Sequence, residues 1–239
     1  MKTRIACLGD SLTRAQFSVD YLDLLGRRHP PGDVQLARFG ANGDFAYNLL
    51  QRLDAVVTNP PDVITVLIGT NDARASLAGY PVEQAMKRKQ LPGRPSAGWF
   101  QQCLAAVVAR LRAETDATIG LLSLPVLGQQ LDGAAAQASH AYSRMIAEVA
   151  ATSEVAYLPL HERQIEELRQ ADAPPISYRE VTPAATVGVL VQHAVLRRSL
   201  DTISRRRGRV LTTDHIHQNS RGATLIAEVI DAGLLTHSA

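Results

Sequence analysis

The sequence predicts an α/β domain: a three-layer α/β/α sandwich around a five-stranded, mostly parallel sheet. Short apolar runs alternate along the chain with segments of helical periodicity, which is the pattern of βαβ units. The run DVITVLIG at 62–69 is apolar almost throughout, as expected of a central strand covered on both faces. With 239 residues and 46% hydrophobic content, the chain is long enough to bury one large core, and no linker or repeat indicates a second domain.

The first half of the chain is expected to supply three strands and the helices between them. Its predicted strands are IACLG at 5–9, VQLARFG at 34–40 and the apolar run at 62–69. One helix is expected over about 14–28, because the sequence HPPG that follows is a strong stop signal. Another is expected over about 44–56, where leucines and valines recur on one side.

The second half repeats the alternation with two further strands. These are TIGLLSLP at 118–125 and VAYLPL at 155–160. Helical periodicity predicts helices at about 82–90, 97–114, 133–152 and 219–235.

Residues 161–208 interrupt this regular order and are expected to form a helical insertion. HERQIEELRQ is polar and helical, ADAPP ends it, and a second helix is predicted over about 183–205. That helix places Val187, Leu190 and Val191 at helical spacing. The apolar stripe is expected either to pack on the body of the domain or to cover a ligand site as a cap.

Composition narrows the function classes. The 25 basic and 23 acidic residues nearly balance, so nucleic-acid binding is not indicated, and RRRGR at 205–209 is interpreted as a solvated helix end. No apolar stretch is long enough to span a bilayer, and MKTRIACLGDS lacks a signal-peptide core. We therefore expect a cytoplasmic protein without stable membrane insertion. Cys7 and Cys103 lie in apolar stretches and are expected to be buried, reduced thiols.

Four polar segments each fall at the end of a predicted strand or before the last helix. They are GDSL at 9–12, FGANGDF at 39–45, GTND at 69–72 and DHIH at 214–217. Taken singly, each is explained by a tight glycine turn or a helix cap. Taken together, the first three open onto the same edge of a parallel sheet, where such folds bind ligands. The fourth precedes a helix that can return to that edge.

This set resembles the SGNH hydrolases, also called the GDSL esterase and lipase family. Ser11 matches the family serine, Gly43 the glycine, Asn71 the asparagine, and Asp214 with His217 the final D-x-x-H block. The matches keep the family's order and spread from residue 9 to residue 217. The resemblance implies a flavodoxin-like SGNH hydrolase fold, a serine hydrolase and no metal or organic cofactor.

Three positions depart from the family pattern. His215 stands where glycine is common, Gln218 where proline or leucine is common, and Phe45 where a small hydroxyl residue is common. None of these positions is that of a reacting group in the family. The departures are therefore expected to alter substrate preference more than activity.

The chemistry of these residue types agrees with the resemblance. A serine hydroxyl needs a base, which His217 can provide, and Asp214 three residues earlier can orient and stabilise that imidazole. The backbone N–H of Ser11 is expected at a helix N-terminus, where free donors can stabilise an oxyanion. By resemblance, the Gly43 N–H and the Asn71 side-chain amide complete this oxyanion hole.

Other assignments for the same residues remain open at this stage. Asp214, His215 and His217 could bind a metal, although no fourth ligand stands at a telling spacing. His215 could replace His217 as the base. Ser96 in GRPSAG is not placed as in a G-x-S-x-G turn, since it stands three residues after Gly93.

The sequence thus predicts a serine esterase that acts through an acyl-enzyme on short- to medium-chain, aryl or lysophospholipid-like carboxylic esters. An apolar acyl pocket formed by the 161–208 insertion would favour these substrates. A carbohydrate or small-molecule O-acetylesterase is the alternative that the motifs fit equally well. A catalytically silent α/β binding module is a further alternative, against which the presence of every reacting group argues. The expected partner is a small-molecule or lipid-like ester, and the oligomeric state is left open.

Overall fold

Five parallel strands form one sheet in a computed structural model of the chain, which describes residues 2–171, 174–181 and 199–235. The strands are β1 (Thr3–Gly9), β2 (Val34–Gly40), β3 (Val63–Leu67), β4 (Thr118–Leu122) and β5 (Ala156–Leu158). Their order in the sheet is β2-β1-β3-β4-β5, and every neighbouring pair is parallel. All five residues of β3 are buried, which confirms the predicted central strand.

The helices precede, connect and follow these strands. They are α1 (Ser11–Arg14), α2 (Tyr21–Gly26), α3 (Ala46–Leu50), α4 (Asp54–Val57), α5 (Thr70–Ala75), α6 (Val82–Lys89), α7 (Ala97–Glu114), α8 (Ala134–Thr152), α9 (Leu160–Gln170), α10 (Leu200–Arg206) and α11 (Ser220–Ile230). A π-helical turn at Asp231–Leu235 follows α11. Helix α2 packs against α11, whereas α7 packs against α3 and α8, so helices form a layer on each side of the sheet. The predicted three-layer α/β/α fold is confirmed.

Strand order reverses between β1 and β3, and this reversal positions the candidate site. The chain runs from β1 outward to β2 and then returns past β1 to β3. Ligands of open α/β sheets bind at the carboxyl ends of the strands on either side of such a reversal. Here those ends are followed by α1 and α5, which begin at Ser11 and Thr70.

Two of the predicted helices differ in the structure, since only α2 lies wholly within 14–28 and the range 44–56 is divided in two. The prediction of one helix over 14–28 is wrong. Helix α1 ends after Arg14 because the backbone of Ala15 is left-handed, with φ of 59°. Helix α2 begins after Asp20, whose carboxylate accepts a hydrogen bond from the Leu22 N–H over 3.0 Å. The helix expected over 44–56 is divided into α3 and α4, with Arg52 in the turn between them. There the Arg52 guanidinium donates to the Asp44 carboxylate over 2.7 Å and to the Gly9 carbonyl over 2.8 Å.

The insertion predicted at 161–208 is described only in part. It begins as helix α9, has no regular structure over 174–181, and ends with α10. Val187, Leu190 and Val191, the predicted cap residues, lie outside the described residues. The basic run at 205–209 is a solvated helix end only in part. Arg205 and Arg206 lie exposed in the last turn of α10, as predicted, whereas Arg207 and Arg209 fold back and both donate to the Thr213 carbonyl.

Two further expectations concern the thiols and the membrane. Cys7 and Cys103 are both buried and free, as predicted. Within the described ranges, every helix is too short or too polar to cross a bilayer.

Candidate active site

Ser11 is held at the carboxyl end of β1 by a turn that requires glycine before it. A Cβ at Gly9 would lie 2.3 Å from the Thr13 hydroxyl and 2.4 Å from the Leu67 carbonyl oxygen, so no other residue fits. Asp10 then caps α1, since its carboxylate accepts from the Leu12 N–H over 2.9 Å. Ser11 is consequently the first helical residue, with its backbone N–H free of partners within the helix.

His217 brings a base to this serine from the loop between α10 and α11. Its Nε2 lies 3.2 Å from the Ser11 Oγ, and its Nδ1 lies 2.6 Å from the Asp214 Oδ2. The other Asp214 oxygen accepts from the backbone N–H groups of Ile216 and His217 over 3.1 and 2.9 Å. The three side chains therefore form one continuous hydrogen-bonded chain.

The charge on Asp214 fixes the direction of these hydrogen bonds. Burial by itself raises the pKa of this carboxyl, but the neighbouring His217 and the hydrogen bonds from His217 and Ile216 outweigh burial and lower the pKa to about 2. An ionised Asp214 can only accept a hydrogen bond, so the His217 Nδ1 carries a proton. In the neutral imidazole, Nε2 is then left as an acceptor that faces the Ser11 hydroxyl.

The loop that carries His217 is tied to the segment after α1. Gln218 donates its N–H to the Ser18 hydroxyl over 3.0 Å, and its carbonyl accepts from the Val19 N–H over 2.9 Å. The Phe17 ring packs against the His217 ring with centroids 5.2 Å apart. These contacts hold the base over the nucleophile although the two residues are 206 positions apart in the chain.

Asn71 and Gly43 lie beside the serine, on the turns that follow β3 and β2. The Asn71 amide nitrogen donates to the Asp44 carbonyl over 3.0 Å and lies 3.4 Å from Asp10 Oδ2. Its amide oxygen accepts from Arg74 over 2.9 Å. Gly43 adopts φ of +72°, in the left-handed region that favours glycine.

One open cleft of about 650 Å³ joins the predicted residues. Ser11, Gly43, Asn71 and His217 all line it. The other lining residues are Phe17, Asn42, Arg74, Arg88, Val181 and Ile216. Asp214 contacts His217 from behind and lines a neighbouring cleft instead. Four of the five predicted catalytic and oxyanion residues thus face one space, which we call the Ser11 cleft.

The two buried aspartates at the strand ends support the turns. Burial raises the pKa of Asp10 to about 6 and that of Asp72 to about 7. Asp72 accepts from the Ala46 N–H over 3.2 Å and so ties α5 to the start of α3. Asp10 therefore caps α1, and Asp72 holds α5 against α3.

His215 is turned away from the serine, so the alternative in which it acts as the base is wrong. Its Nε2 lies 2.7 Å from Arg209 Nη2, and burial together with the Arg209 charge lowers its pKa to about 4. Its φ of +96° lies in the left-handed region that favours glycine, the residue that the family resemblance led us to expect here. In the described part of the chain, no three potential ligands converge as a metal site would require.

Two other serines, Ser96 and Ser123, have structural contacts. Ser96 caps α7, where its hydroxyl accepts from the Trp99 N–H over 3.2 Å. Ser123 is fully buried, accepts from the His161 N–H over 2.8 Å and lies 3.1 Å from Glu162.

Sequence reasoning missed Arg74, Tyr178 and Glu180. Arg74 binds the Asn71 amide oxygen and pairs with Glu180, whose other oxygen accepts from the Tyr178 hydroxyl over 2.7 Å. Arg74 stands three positions after Asn71, and such residues are neighbours once the segment forms α5, a helix not predicted from the sequence. Glu180 lies 106 positions from Arg74, and no local signal connects them.

Comparisons with known proteins identify the family and the fold of the chain. The model of the GDSL-like Lipase/Acylhydrolase family matches residues 7–183. Axe2, an acetylxylan esterase from Geobacillus stearothermophilus, superposes with a TM-score of 0.67 at 16% identity, over 96% of this chain and 93% of that chain. A catalytic mutant of the same enzyme gives a TM-score of 0.68 at 15% identity over the same shares.

LAE5, an α/β hydrolase from the metagenome of Lake Arreo in Spain, gives a TM-score of 0.65 at 18% identity, over 96% of this chain and 94% of that chain. At these identities the structural likeness establishes the fold alone. No curated protein sequence matches this chain. The family match, however, spans well over half of the sequence. The chain belongs to the GDSL-like lipase/acylhydrolase family and is a serine esterase, a hydrolase of carboxylic esters.

Proposed function

We propose that Ser11, His217 and Asp214 form the catalytic triad of this esterase and that the reaction passes through an acyl-enzyme. The observation that carries the proposal is the hydrogen-bonded chain from Ser11 Oγ to His217 Nε2 and from His217 Nδ1 to Asp214. This is the constellation that activates a serine, and it is recognised by geometry whatever the order of its members in the sequence.

The proposed acylation step begins when the Ser11 Oγ attacks the ester carbonyl carbon. The hydroxyl proton passes to His217 Nε2, and the resulting imidazolium is stabilised by ionised Asp214. The tetrahedral intermediate then collapses as the bond to the alcohol oxygen breaks. His217 returns the proton to that oxygen, and the alcohol leaves with the acyl group bound to Ser11.

Deacylation repeats these steps with water as the nucleophile. His217 takes a proton from the water as its oxygen attacks the acyl carbon. The bond to Ser11 Oγ breaks, His217 returns the proton to the serine, and a carboxylic acid leaves. Every proton in this cycle moves through His217 Nε2, so the mechanism calls for no metal or organic cofactor.

The proposed oxyanion hole consists of the N–H groups of Ser11 and Gly43 and the side-chain amide of Asn71. One Asn71 N–H is held by the Asp44 carbonyl over 3.0 Å, whereas the contact of the amide nitrogen with Asp10 is long at 3.4 Å. The weakly held hydrogen is the one available to a developing oxyanion. Donors oriented in advance in this way stabilise the transition state more than the substrate.

We propose short- to medium-chain and aryl carboxylic esters as the substrates, supported by the apolar Phe17, Val181 and Ile216 beside the serine. Lysophospholipid-like esters require the apolar pocket expected from Val187, Leu190 and Val191, and this expectation stays a prediction. A second candidate is O-acetylester hydrolysis on carbohydrates or other polar alcohols. The polar lining residues Asn42, Arg74 and Arg88 favour it, and acetylxylan esterases share the fold.

Replacement of the nucleophile tests the proposed triad. Ser11→Ala is expected to reduce kcat for p-nitrophenyl acetate by at least about 10⁴-fold, because the reaction loses its covalent path. Ser96→Ala removes a hydroxyl of the same kind that only caps a helix and serves as the matched control. A fluorophosphonate should label the wild type at Ser11, as mapped by mass spectrometry. Equal turnover by Ser11→Ala, or labelling at Ser96 or Ser123, would refute the assignment.

A further inference from the structure

A second cleft adjoins the triad at its Asp214 end. It encloses about 550 Å³ and is lined by Arg179, Arg207 and Arg209, together with Glu180, Val181, Asp214 and His215. We call it the arginine cleft after its three cationic members. Val181 lines both this cleft and the Ser11 cleft, so the two spaces meet at that side chain.

Two guanidinium groups converge in the arginine cleft on neutral partners. Arg207 and Arg209 each donate to the Thr213 carbonyl oxygen, over 3.0 and 2.7 Å. Arg209 also contacts His215, which is neutral at pH 7 because burial and Arg209 lower its pKa to about 4. Burial and the adjacent charge of Arg207 lower the pKa of Arg209, and the opposing charge of Asp214 offsets this effect only in part.

The acidic residues of this cleft are engaged elsewhere. Glu180 is occupied by Arg74 and by the Tyr178 hydroxyl. Asp214 is occupied by His217 and by two backbone N–H groups. The adjoining residues 182–198 contain no Asp or Glu in their sequence, so that stretch cannot supply a carboxylate to the three arginines.

The Ser11 cleft carries charge of the same sign. Arg88 lines it, as does Arg74, whose charge is paired with Glu180, and its described lining residues include neither Asp nor Glu. The whole chain has 25 basic and 23 acidic residues, so this excess is local to the opening around the triad. A concentration of one charge sign in adjoining clefts attracts ligands of the opposite sign.

We infer that the arginine cleft binds an anionic group of the ester substrate, a carboxylate or a phosphate. The inference rests on the proposed triad, because it places the ester at Ser11 and the anionic group beyond Val181, at the Asp214 end. Planar guanidinium groups match the oxygens of carboxylate and phosphate by paired hydrogen bonds. Among the described residues neither Arg207 nor Arg209 forms an ion pair, and an anion bound there supplies that partner. The substrate class is thus an ester with an acidic group several bonds from the reacting carbonyl.

A matched series of substrates tests this inference by turnover. Three acetyl esters share a six-carbon alcohol that ends in an amide, a carboxylate or a phosphate. In the wild type, kcat/KM for one or both anionic esters is expected to exceed that for the amide by roughly ten- to hundredfold, the range for a hydrogen bond to a charged group. The anionic ester with the higher kcat/KM shows whether the cleft is specific for a carboxylate or for a phosphate.

Two variants separate a binding role from other roles of these arginines. Arg179→Gln removes an exposed guanidinium of the arginine cleft, and Arg88→Gln removes the same charge from the Ser11 cleft. Arg179→Gln should abolish most of the preference for the anionic ester, whereas Arg88→Gln should preserve most of it. Equal losses in the two variants would indicate general attraction and overturn the inference. A parallel fall for neutral and anionic esters in Arg179→Gln would also overturn it.

A binding measurement keeps the inference testable if no ester is hydrolysed. Hexyl phosphate and hexanoate are titrated into Ser11→Ala by calorimetry, with hexanamide as the neutral control. One of the two anions should bind at least about tenfold more tightly than the amide, and Arg179→Gln should remove the difference. Equal binding of all three refutes the arginine cleft as an anion site. Absence of turnover with anion binding intact would instead refute the proposed triad.

Discussion

The Arg74 guanidinium donates a hydrogen bond to the Asn71 side-chain oxygen over 2.9 Å, and this contact fixes the amide with its nitrogen toward Asp10 and Asp44. Arg74 is itself held by Glu180. We expect Arg74 to be a positioning residue that acts through Asn71. Arg74→Met should therefore lower kcat by roughly tenfold or more with a smaller change in KM, because an oxyanion donor counts most in the transition state.

A double-mutant cycle checks this role for Arg74. Asn71→Ala should lower kcat by about 10²–10³-fold, as for loss of one oxyanion donor. Adding Arg74→Met to Asn71→Ala should then lower kcat little further, since both residues act on the same hydrogen bond to the oxyanion. Arg74→Lys should restore part of the activity. Additive losses measured on p-nitrophenyl acetate would show that Arg74 acts independently of Asn71.

Asp214 is expected to set the orientation and charge of the base. Asp214→Asn should reduce kcat by roughly 10³–10⁴-fold, because an amide can hold the imidazole in the wrong tautomer and cannot stabilise its cation. Asp201→Asn is the matched control, as Asp201 also accepts hydrogen bonds in this region but from Ser220. With a pKa of about 2, Asp214 stays ionised between pH 5 and 9, so it should add no step to the wild-type pH profile over that range. Wild-type turnover by Asp214→Asn would contradict the proposed triad.

Asp72 should make the protein less stable as the pH rises toward neutrality. Burial raises its pKa from 3.8 to about 7, so the folded state binds more protons than the unfolded state between these values. The free energy of unfolding therefore falls as pH increases from about 4 to about 7. Asp72→Asn keeps an acceptor for the Ala46 N–H without the charge.

The measurement for Asp72 is urea unfolding at pH 5 and pH 8. At pH 8 the free energy of unfolding of Asp72→Asn should exceed that of the wild type by about 1–3 kcal/mol. The free energy of unfolding should also decrease less from pH 5 to pH 8 in the variant than in the wild type. Asp33→Asn, at an exposed carboxyl, is the control. If the free energy of unfolding of Asp72→Asn depends on pH as it does in the wild type, then ionisation of the Asp72 carboxyl does not destabilise the folded protein.

The left-handed backbone at His215 gives a comparison between two substitutions. His215→Gly and His215→Ala both remove the contact with Arg209, but only glycine adopts φ of +96° readily. The glycine variant should therefore be more stable than the alanine variant by about 1 kcal/mol. Thermal and urea unfolding of the pair measure this difference. If the alanine variant is equally stable, the backbone at this position is not strained.

The features predicted correctly from sequence are those with local signals. The apolar runs predicted all five strands, and the glycine turns with their polar residues predicted Ser11 and Asn71 as neighbours. The family resemblance added His217 through its D-x-x-H block. The break at Ala15 could not be predicted, because the left-handed turn follows from the tertiary position of Ser11 and not from an alanine preference. Arg74 and Glu180 form their pair only after distant segments meet, and the charge of the arginine cleft depends on the same kind of contact.

The tie between Gln218 and the segment at Ser18 and Val19 has a consequence for the order in which activity arises. During synthesis the nucleophile leaves the ribosome near the start of the chain, and the base follows 206 residues later. Until the C-terminal loop docks through Gln218, Ser11 has no base and the nascent chain cannot hydrolyse esters by the proposed mechanism. The onset of esterase activity therefore marks the point in folding at which the loop of His217 has docked on the segment after α1.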